Sequence, residues 1–272
     1  LSASPEIKLV VLDWAGTVID FGCMAPSGAF VAAFGEAGVN VSVAEARGPM
    51  GLHKKDHIRA MLQMPAIGER WRQAHNRDWT EGDINDLYRR VTPMQVAAAG
   101  KYSALIPGVI ECVAELRKRG IQVAGTTGYF REAADVVYAA AREQGYAPDF
   151  VICADEVPAG RPAPWMIFRC METLGVYPPA AVVKVGDTAI DIEDGRNAGV
   201  WSVGVIDSSN EMGRSESELA ELTDAEREER REAVLNRYED AGCDAAIRHI
   251  GQLPRLIDEI NEHMANGARP GG

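Results

Sequence analysis

The sequence predicts an α/β fold, a parallel sheet covered by helices and interrupted by a wholly helical insert. Strand-like apolar runs recur at 7–13, 121–126, 150–153, 182–186, 200–205 and 243–247, and helical segments separate them from residue 108 onward. Between the first and second runs lie about a hundred residues that read as helix throughout, too many for a simple crossover. The first four runs lead into residues able to do polar chemistry, and in such sheets chemistry collects at the carboxyl ends of the strands.

The first run, IKLVVL, breaks at Asp13 into the Gly-containing turn WAGT. The insert is placed at 22–102, with the sheet domain formed by 1–21 and 103–272 and the return near Pro107-Gly108. Its helices are marked by Pro26 near a first turn, by the capping box Ser42-Val43-Ala44-Glu45, and by Thr80 with Asp83 three residues on. Helices near 108–119, 131–144, 164–174, 189–198 and 250–264 carry apolar stripes at spacings of three and four. The charged stretch SESELAELTDAEREERRE, Ser215 to Glu232, has a further box at Thr223 to Glu226 and reads as a solvated surface helix. The tail NGARPGG is expected to be disordered.

With 272 residues and 46% hydrophobic content the chain supports a substantial core. A net charge of -12 argues against nucleic acid or an anionic membrane as partner, so an anionic substrate would need a local cationic pocket. The apolar runs fall far short of the ~20 residues that span a bilayer, and no signal-type segment opens the sequence, so a cytoplasmic location is expected. The five cysteines, Cys23, Cys112, Cys153, Cys170 and Cys243, are scattered without a Cys-x-x-Cys pair, and free thiols are the default.

Four pieces at four strand ends fit one phosphoryl site: Asp13; Thr126-Thr127-Gly128; Gly160-Arg161-Pro162; and Gly186-Asp187-Thr188-Ala189-Ile190-Asp191. Each alone is weak, since an Asp after a strand is often a helix cap and GDTAID could be a helix start favoured by the dipole. Their order and strand context together point to chemistry. A carboxylate facing a dianionic group is repelled by it, so a divalent cation bridging Asp13 and Asp187 would neutralise both, and hard oxygen ligands suit magnesium. The backbone carbonyl of Ala15 could complete the set, while Asp191, one helical turn beyond Asp187, suits the orientation of metal-bound water. Thr127 offers a hydroxyl, Gly128 a backbone N–H, and Arg161 a planar charged fork.

The insert holds a second constellation, RGPMGLHKKDHIRAML at 47–62. A helix starts near His53, and Lys54, His57, Ile58 and Met61 share one face while Lys55 points elsewhere with Arg59 and Leu62. A surface lysine beside a helix-capping histidine is the bland account. Against it, a lysine in a first turn sits at the positive end of the helix dipole, and burial against Met50 and Met61 would further disfavour its ammonium form. The resulting neutral amine is what imine formation requires, and His57 could move protons to and from it.

Taken together, DWAGT, FGC at 21–23, PMGLHKKDH at 49–57, TTGY at 126–129, PAGRPAPWM at 158–166 and KVGDT at 184–188 resemble the phosphonoacetaldehyde hydrolase (phosphonatase) family of the haloacid dehalogenase superfamily. In the phosphatase branches of that superfamily a second aspartate two residues after the nucleophile protonates the leaving oxygen; here Ala15 stands in its place. The resemblance implies a Rossmann-like core with a helical cap, magnesium dependence, a homodimer, and cleavage of phosphonoacetaldehyde to acetaldehyde and phosphate. It also implies Asp13 as nucleophile and Lys54 as the Schiff-base residue. Arg161 departs from the lysine usual in the superfamily but keeps its charge, and the cap departs from the family's pattern at His53 and Lys55. The family suggests pocket roles for Cys23, Met50 and Tyr129, for which core packing is nearly as good an account. Trp165 reads as structural. The rivals are a phosphomonoesterase or phosphomutase, a binding protein that lost the acid, and a hydrolytic dehalogenase.

Overall fold

A computed structural model describes residues 6–272; residues 1–5 of the expected sheet domain lie outside the described residues. Six parallel strands, β1 (Leu9–Leu12), β2 (Gln122–Thr127), β3 (Phe150–Cys153), β4 (Val182–Gly186), β5 (Trp201–Val205) and β6 (Ala245–Ile247), form one sheet in the order β3-β2-β1-β4-β5-β6. The chain builds outward from β1 to β3 and then returns to the other side of β1, so the strand order reverses between β1 and β4. Leu12 pairs with Gly125 on one side and Val185 on the other, which brings Asp13, the end of β2 and Asp187 out at one level of this switch point.

The helical insertion follows β1 as α1 (Met24–Glu36), α2 (Val43–Arg47), α3 (Lys54–Gln63), α4 (Pro65–His75) and α5 (Glu81–Lys101). The boxes at Ser42/Glu45 and Thr80/Asp83 are closed in both directions, each satisfying two helix-end donors. Phe30, Phe34, Ile58, Met61, Leu62, Trp71 and Leu87 pack into an apolar cluster of the insertion's own. The chain enters and leaves it side by side: Asp20 N–H donates to Ala104 O at 3.2 Å and Ile106 N–H to Val18 O at 2.8 Å.

Among the described residues seven further α-helices follow: α6 (Val109–Lys118), α7 (Arg131–Glu143), α8 (Trp165–Leu174), α9 (Ala189–Ala198), α10 (Glu216–Glu221), α11 (Asp224–Ala241) and α12 (Leu253–Ala265). Alternation along β1 splits the sheet core into two layers. Val10 and Leu12 pack with Leu116, Val137 and Ile257 of α6, α7 and α12, whereas Leu9 and Val11 pack with Met166, Ile167 and Cys170 of α8. Each side chain so buried contributes about 1.5–3 kcal/mol relative to exposure.

Two expectations are corrected. The charged stretch is not one helix, because Ser215/Glu218 and Thr223/Glu226 each close a capping box and so start α10 and α11 separately. Beyond that stretch α11 continues and turns inward: Val234, Tyr238 and Ala241, spaced four and three apart, are buried. The tail is held rather than disordered at one point, where Gly271 N–H donates to Asp244 Oδ1 at 2.7 Å.

Candidate active site

Asp13, Ala15, Cys23, Met50, Lys54, Thr127, Gly128, Tyr129, Arg161 and Asp187 line one small cavity between the sheet's carboxyl edge and the insertion. Pro26, Gly51 and Thr188, to which the sequence reading assigns no site role, complete its wall. His57 and Asp191 stand behind it.

On the sheet side, carboxylate oxygens of Asp13, Asp187 and Asp191 lie within 4.8 Å of one another, all buried. Burial pushes the Asp13 carboxyl above its ordinary value despite Arg161, whose Nη1 is 2.7 Å from Asp13 Oδ1. Asp187 is pushed well up by burial and by the charges of Asp13 and Asp191; its Oδ2 accepts one backbone N–H, from Asn210 at 2.8 Å. Gly16, at φ +83°, lies against this carboxylate so closely that a Cβ there would stand 2.0 Å from Oδ2. Asp191 is held below the ordinary value: burial raises it, but Arg161 Nη1 and Lys184 Nζ, each 2.8 Å from Oδ1, outweigh that, and Thr188 donates to Oδ2 at 2.7 Å. Two like-charged acids pushed upward by burial are what a bound cation would relieve, and the all-oxygen donor set of this trio fits a metal site.

Arg161 reaches the cavity with its fork largely engaged by protein. Nη1 serves Asp13 and Asp191, and Nη2 donates to Thr126 O at 2.8 Å and to Thr126 Oγ1 at 2.7 Å. Two buried partners of this network, Lys184 and Asp194, were not anticipated. Asp194 Oδ2 lies 3.6 Å from Arg161 Nε, and burial pushes its carboxyl up to about 7. Tyr238 of α11 reaches in from behind, its hydroxyl 2.9 Å from Asp187 O and 2.8 Å from Val205 O. A buried tyrosine at an apolar spacing in a charged helix was the only signal.

On the insertion side, Lys54 opens α3 and is buried, its Nζ 5.2 Å from the Tyr129 ring centroid and 5.6 Å from that of Phe30. Burial pulls its pKa down to about 8, although Cys23 and Asp13 act in the other direction. Lys55 turns away, its Nζ 5.3 Å from the Tyr88 ring. His57 stacks on Phe30 with centroids 3.8 Å apart, and burial, with Lys54 beside it, pushes its pKa well below the usual value. Its Nε2 is 2.9 Å from Ala46 O, so Nε2 carries the proton and donates, leaving Nδ1 as an acceptor lone pair with no partner.

An acid trio at the switch point of a parallel sheet, capped by helices carrying a depressed-pKa lysine, defines a class of α/β hydrolase, and the family model described as "Hydrolase: haloacid dehalogenase-like hydrolase" matches residues 7–199. The chain is 43% identical over 264 residues to phosphonoacetaldehyde hydrolase of Syntrophobacter fumaroxidans, covering 97% of this chain and 95% of that relative. It is 43% identical over 257 residues to phosphonoacetaldehyde hydrolase of Bacillus cereus (strain AH820), with 94% and 97% covered. The crystal structure of a phosphonoacetaldehyde hydrolase-like protein from Oleispira antarctica superposes with a TM-score of 0.97 at 37% identity, covering 99% of this chain and 98% of that one. The chain belongs to the phosphonoacetaldehyde hydrolase family of haloacid dehalogenase-like hydrolases.

Proposed function

We propose that this chain hydrolyses the carbon–phosphorus bond of phosphonoacetaldehyde to acetaldehyde and phosphate, with residues 22–102 acting as a cap domain. The observation that carries the reading is a buried lysine with a pKa near 8 sharing one cavity with Asp13 and Ala15. The neutral Lys54 amine adds to the aldehyde and, losing water, forms an imine; protonated, this becomes an electron sink two atoms from phosphorus. Asp13 attacks phosphorus in line, and the pair of the breaking carbon–phosphorus bond moves into the enamine. That leaving group needs no proton at the moment of cleavage, which is why a methyl group suffices at Ala15. The enamine carbon then takes a proton, water releases acetaldehyde from Lys54, and a second water releases phosphate from Asp13. His57 shares a helix face with Lys54, and its unpartnered Nδ1 supports a role in exchanging protons with the amine by way of water.

Magnesium, when bound, would neutralise the carboxylates and the phosphonate; Asp13, Asp187 and the carbonyl of Ala15 would hold it. Asp191, with both oxygens already engaged, suits the outer role. Thr127 and Gly128 supply donors to the phosphoryl oxygens with Arg161 behind them, while Cys23, Met50 and Tyr129 enclose the two-carbon unit.

The test is borohydride reduction in the presence of phosphonoacetaldehyde, read by peptide mass spectrometry. Activity should be lost with a reduced two-carbon unit on Lys54. Label on Lys55, or none, removes the imine step. Efficient hydrolysis of simple phosphate esters without turnover of the phosphonate would make the chain a phosphatase.

A homodimer is part of the same reading. Trp165, Phe168 and Tyr177 are 47%, 38% and 86% exposed on and beside α8, an aromatic patch that monomers seldom leave open. Tyr177→Glu combined with Trp165→Glu should sediment as a monomer where the wild type sediments as a dimer; identical sedimentation of the two would dismiss this surface. No helix among the described residues is long and apolar enough to cross a membrane, and all five cysteines are free, which suits a reducing compartment.

A further inference from the structure

Arg47, the last residue of α2, takes no part in the reaction proposed above, yet it ties the insertion to the sheet at a telling place. Its Nη1 donates to Gly22 O at 2.7 Å and lies 3.3 Å from Asn210 Oδ1 and 3.4 Å from Asn210 O. Nη2 is 3.1 Å from Met24 Sδ, and Asn210 Nδ2 returns a bond to Arg47 O at 3.4 Å. Asn210 is in turn the residue whose backbone N–H donates to Asp187 Oδ2 at 2.8 Å. From the entry linker, through a guanidinium of the insertion, to a carboxylate of the acid trio, the contacts are continuous.

The linker itself needs holding. Asp20, Gly22 and Cys23 have φ of +54°, +81° and +52°, a left-handed run that only glycine adopts without cost. A Cβ on Gly22 would stand 2.1 Å from Arg214 O, so the backbone there is pressed against the sheet side. Three sets of bonds secure it. The Asp20 carboxylate accepts from Met24 and Ala25 N–H at 3.0 and 2.9 Å, Gly22 N–H donates to Ser208 O at 2.8 Å, and Arg47 takes the Gly22 carbonyl. A single nitrogen of the guanidinium, Nη1, serves the linker carbonyl and Asn210 at once, while Nη2 lies against Met24 Sδ.

We propose that Arg47 is a positioning residue that locks the insertion against the sheet and, through Asn210, sets the carboxylate of Asp187. The inference rests on the metal-site reading of Asp13, Asp187 and Asp191. Arg47 lies seven residues before Lys54, so the segment it anchors also carries the amine into the cavity. One side chain thereby fixes both the group that acts on carbon and a group that acts at phosphorus.

The test uses the full chain without substrate, read by backbone hydrogen exchange and by Mn²⁺ binding followed with electron paramagnetic resonance. Arg47→Met should speed exchange at 20–24 and 208–213 and weaken Mn²⁺ binding about tenfold, the cost of loosening a ligand's outer support. Asn210→Ala should weaken Mn²⁺ comparably, and the double variant should be no weaker than either single one, since both cut the same connection. Arg47→Gln, which keeps a donor too short to span both partners, serves if the methionine variant does not fold. Unchanged exchange, unchanged Mn²⁺ affinity, or additive losses in the double variant would overturn the proposal. Asp187→Asn is the control: if it binds Mn²⁺ as the wild type does, the metal reading fails and with it the link to Asp187, while the exchange data still decide whether Arg47 holds the linker.

Discussion

Asp13→Asn should abolish turnover of phosphonoacetaldehyde, by about 10⁴-fold or more, and leave the protein at least as stable as the wild type. The amide is no nucleophile and binds a cation poorly, so the chemical loss follows from the mechanism. The stability follows from electrostatics. Burial raises the Asp13 carboxyl above its ordinary value of 3.8, so the folded chain holds that proton more tightly than the unfolded one; ionisation above 3.8 therefore costs stability, and an amide removes the cost. Arg161 keeps Asp191 and Thr126 as partners in the variant. Activity at saturating magnesium and a calorimetric melt read the two effects separately. Substantial turnover would dismiss Asp13 as the nucleophile, and a collapsed melting temperature would make it a structural residue instead.

Lys54→Arg should be as damaging, although it keeps the charge, because a guanidinium stays protonated and cannot form an imine. In the wild type the depressed pKa gives this step a pH signature. Below about 8 the folded enzyme holds Lys54 as ammonium, so kcat/KM for the phosphonate should climb with pH and level off above about 8. Stability has its own window: the unfolded chain holds the proton up to the ordinary value of 10.5, so the residue's contribution to stability grows as pH rises from about 8 toward 10.5. A flat kcat/KM profile between pH 6 and 9, measured at fixed magnesium, would show that deprotonation of Lys54 does not limit the reaction.

What the sequence disclosed divides along the range of the signals. Strands were legible because each is a continuous apolar run, and the insertion because a hundred residues without such a run cannot be a crossover. Asp13, Thr127, Arg161 and Asp187 were legible from their order at or after strand ends, and the structure lines one cavity with them. Lys184, Asp194, Asn210, Arg47 and Tyr238 were not, for a common reason. Each has a contact far along the chain, as Lys184 has with Thr126, Arg47 with Asn210 and Tyr238 with Asp187, and no local periodicity marks such a pairing. Lys184 sits in an apolar strand where one charge reads as an edge residue, yet its ammonium is buried against Asp191. The break between α10 and α11 was visible as a second capping box, but the run of charge around it hid that two helices, not one, begin there.

The paired linkers at Asp20–Ala104 and Ile106–Val18 carry an evolutionary consequence. Because the chain leaves and re-enters the sheet at adjacent points, the sheet experiences the insertion as a short detour, and the insertion brings an apolar cluster of its own. In the proposed reaction the two halves of the chemistry divide in the same way, with phosphorus handled from the sheet and the carbon leaving group from the insertion. A lineage could therefore acquire a new leaving group by exchanging one contiguous block of sequence between two neighbouring splice points, without altering a strand.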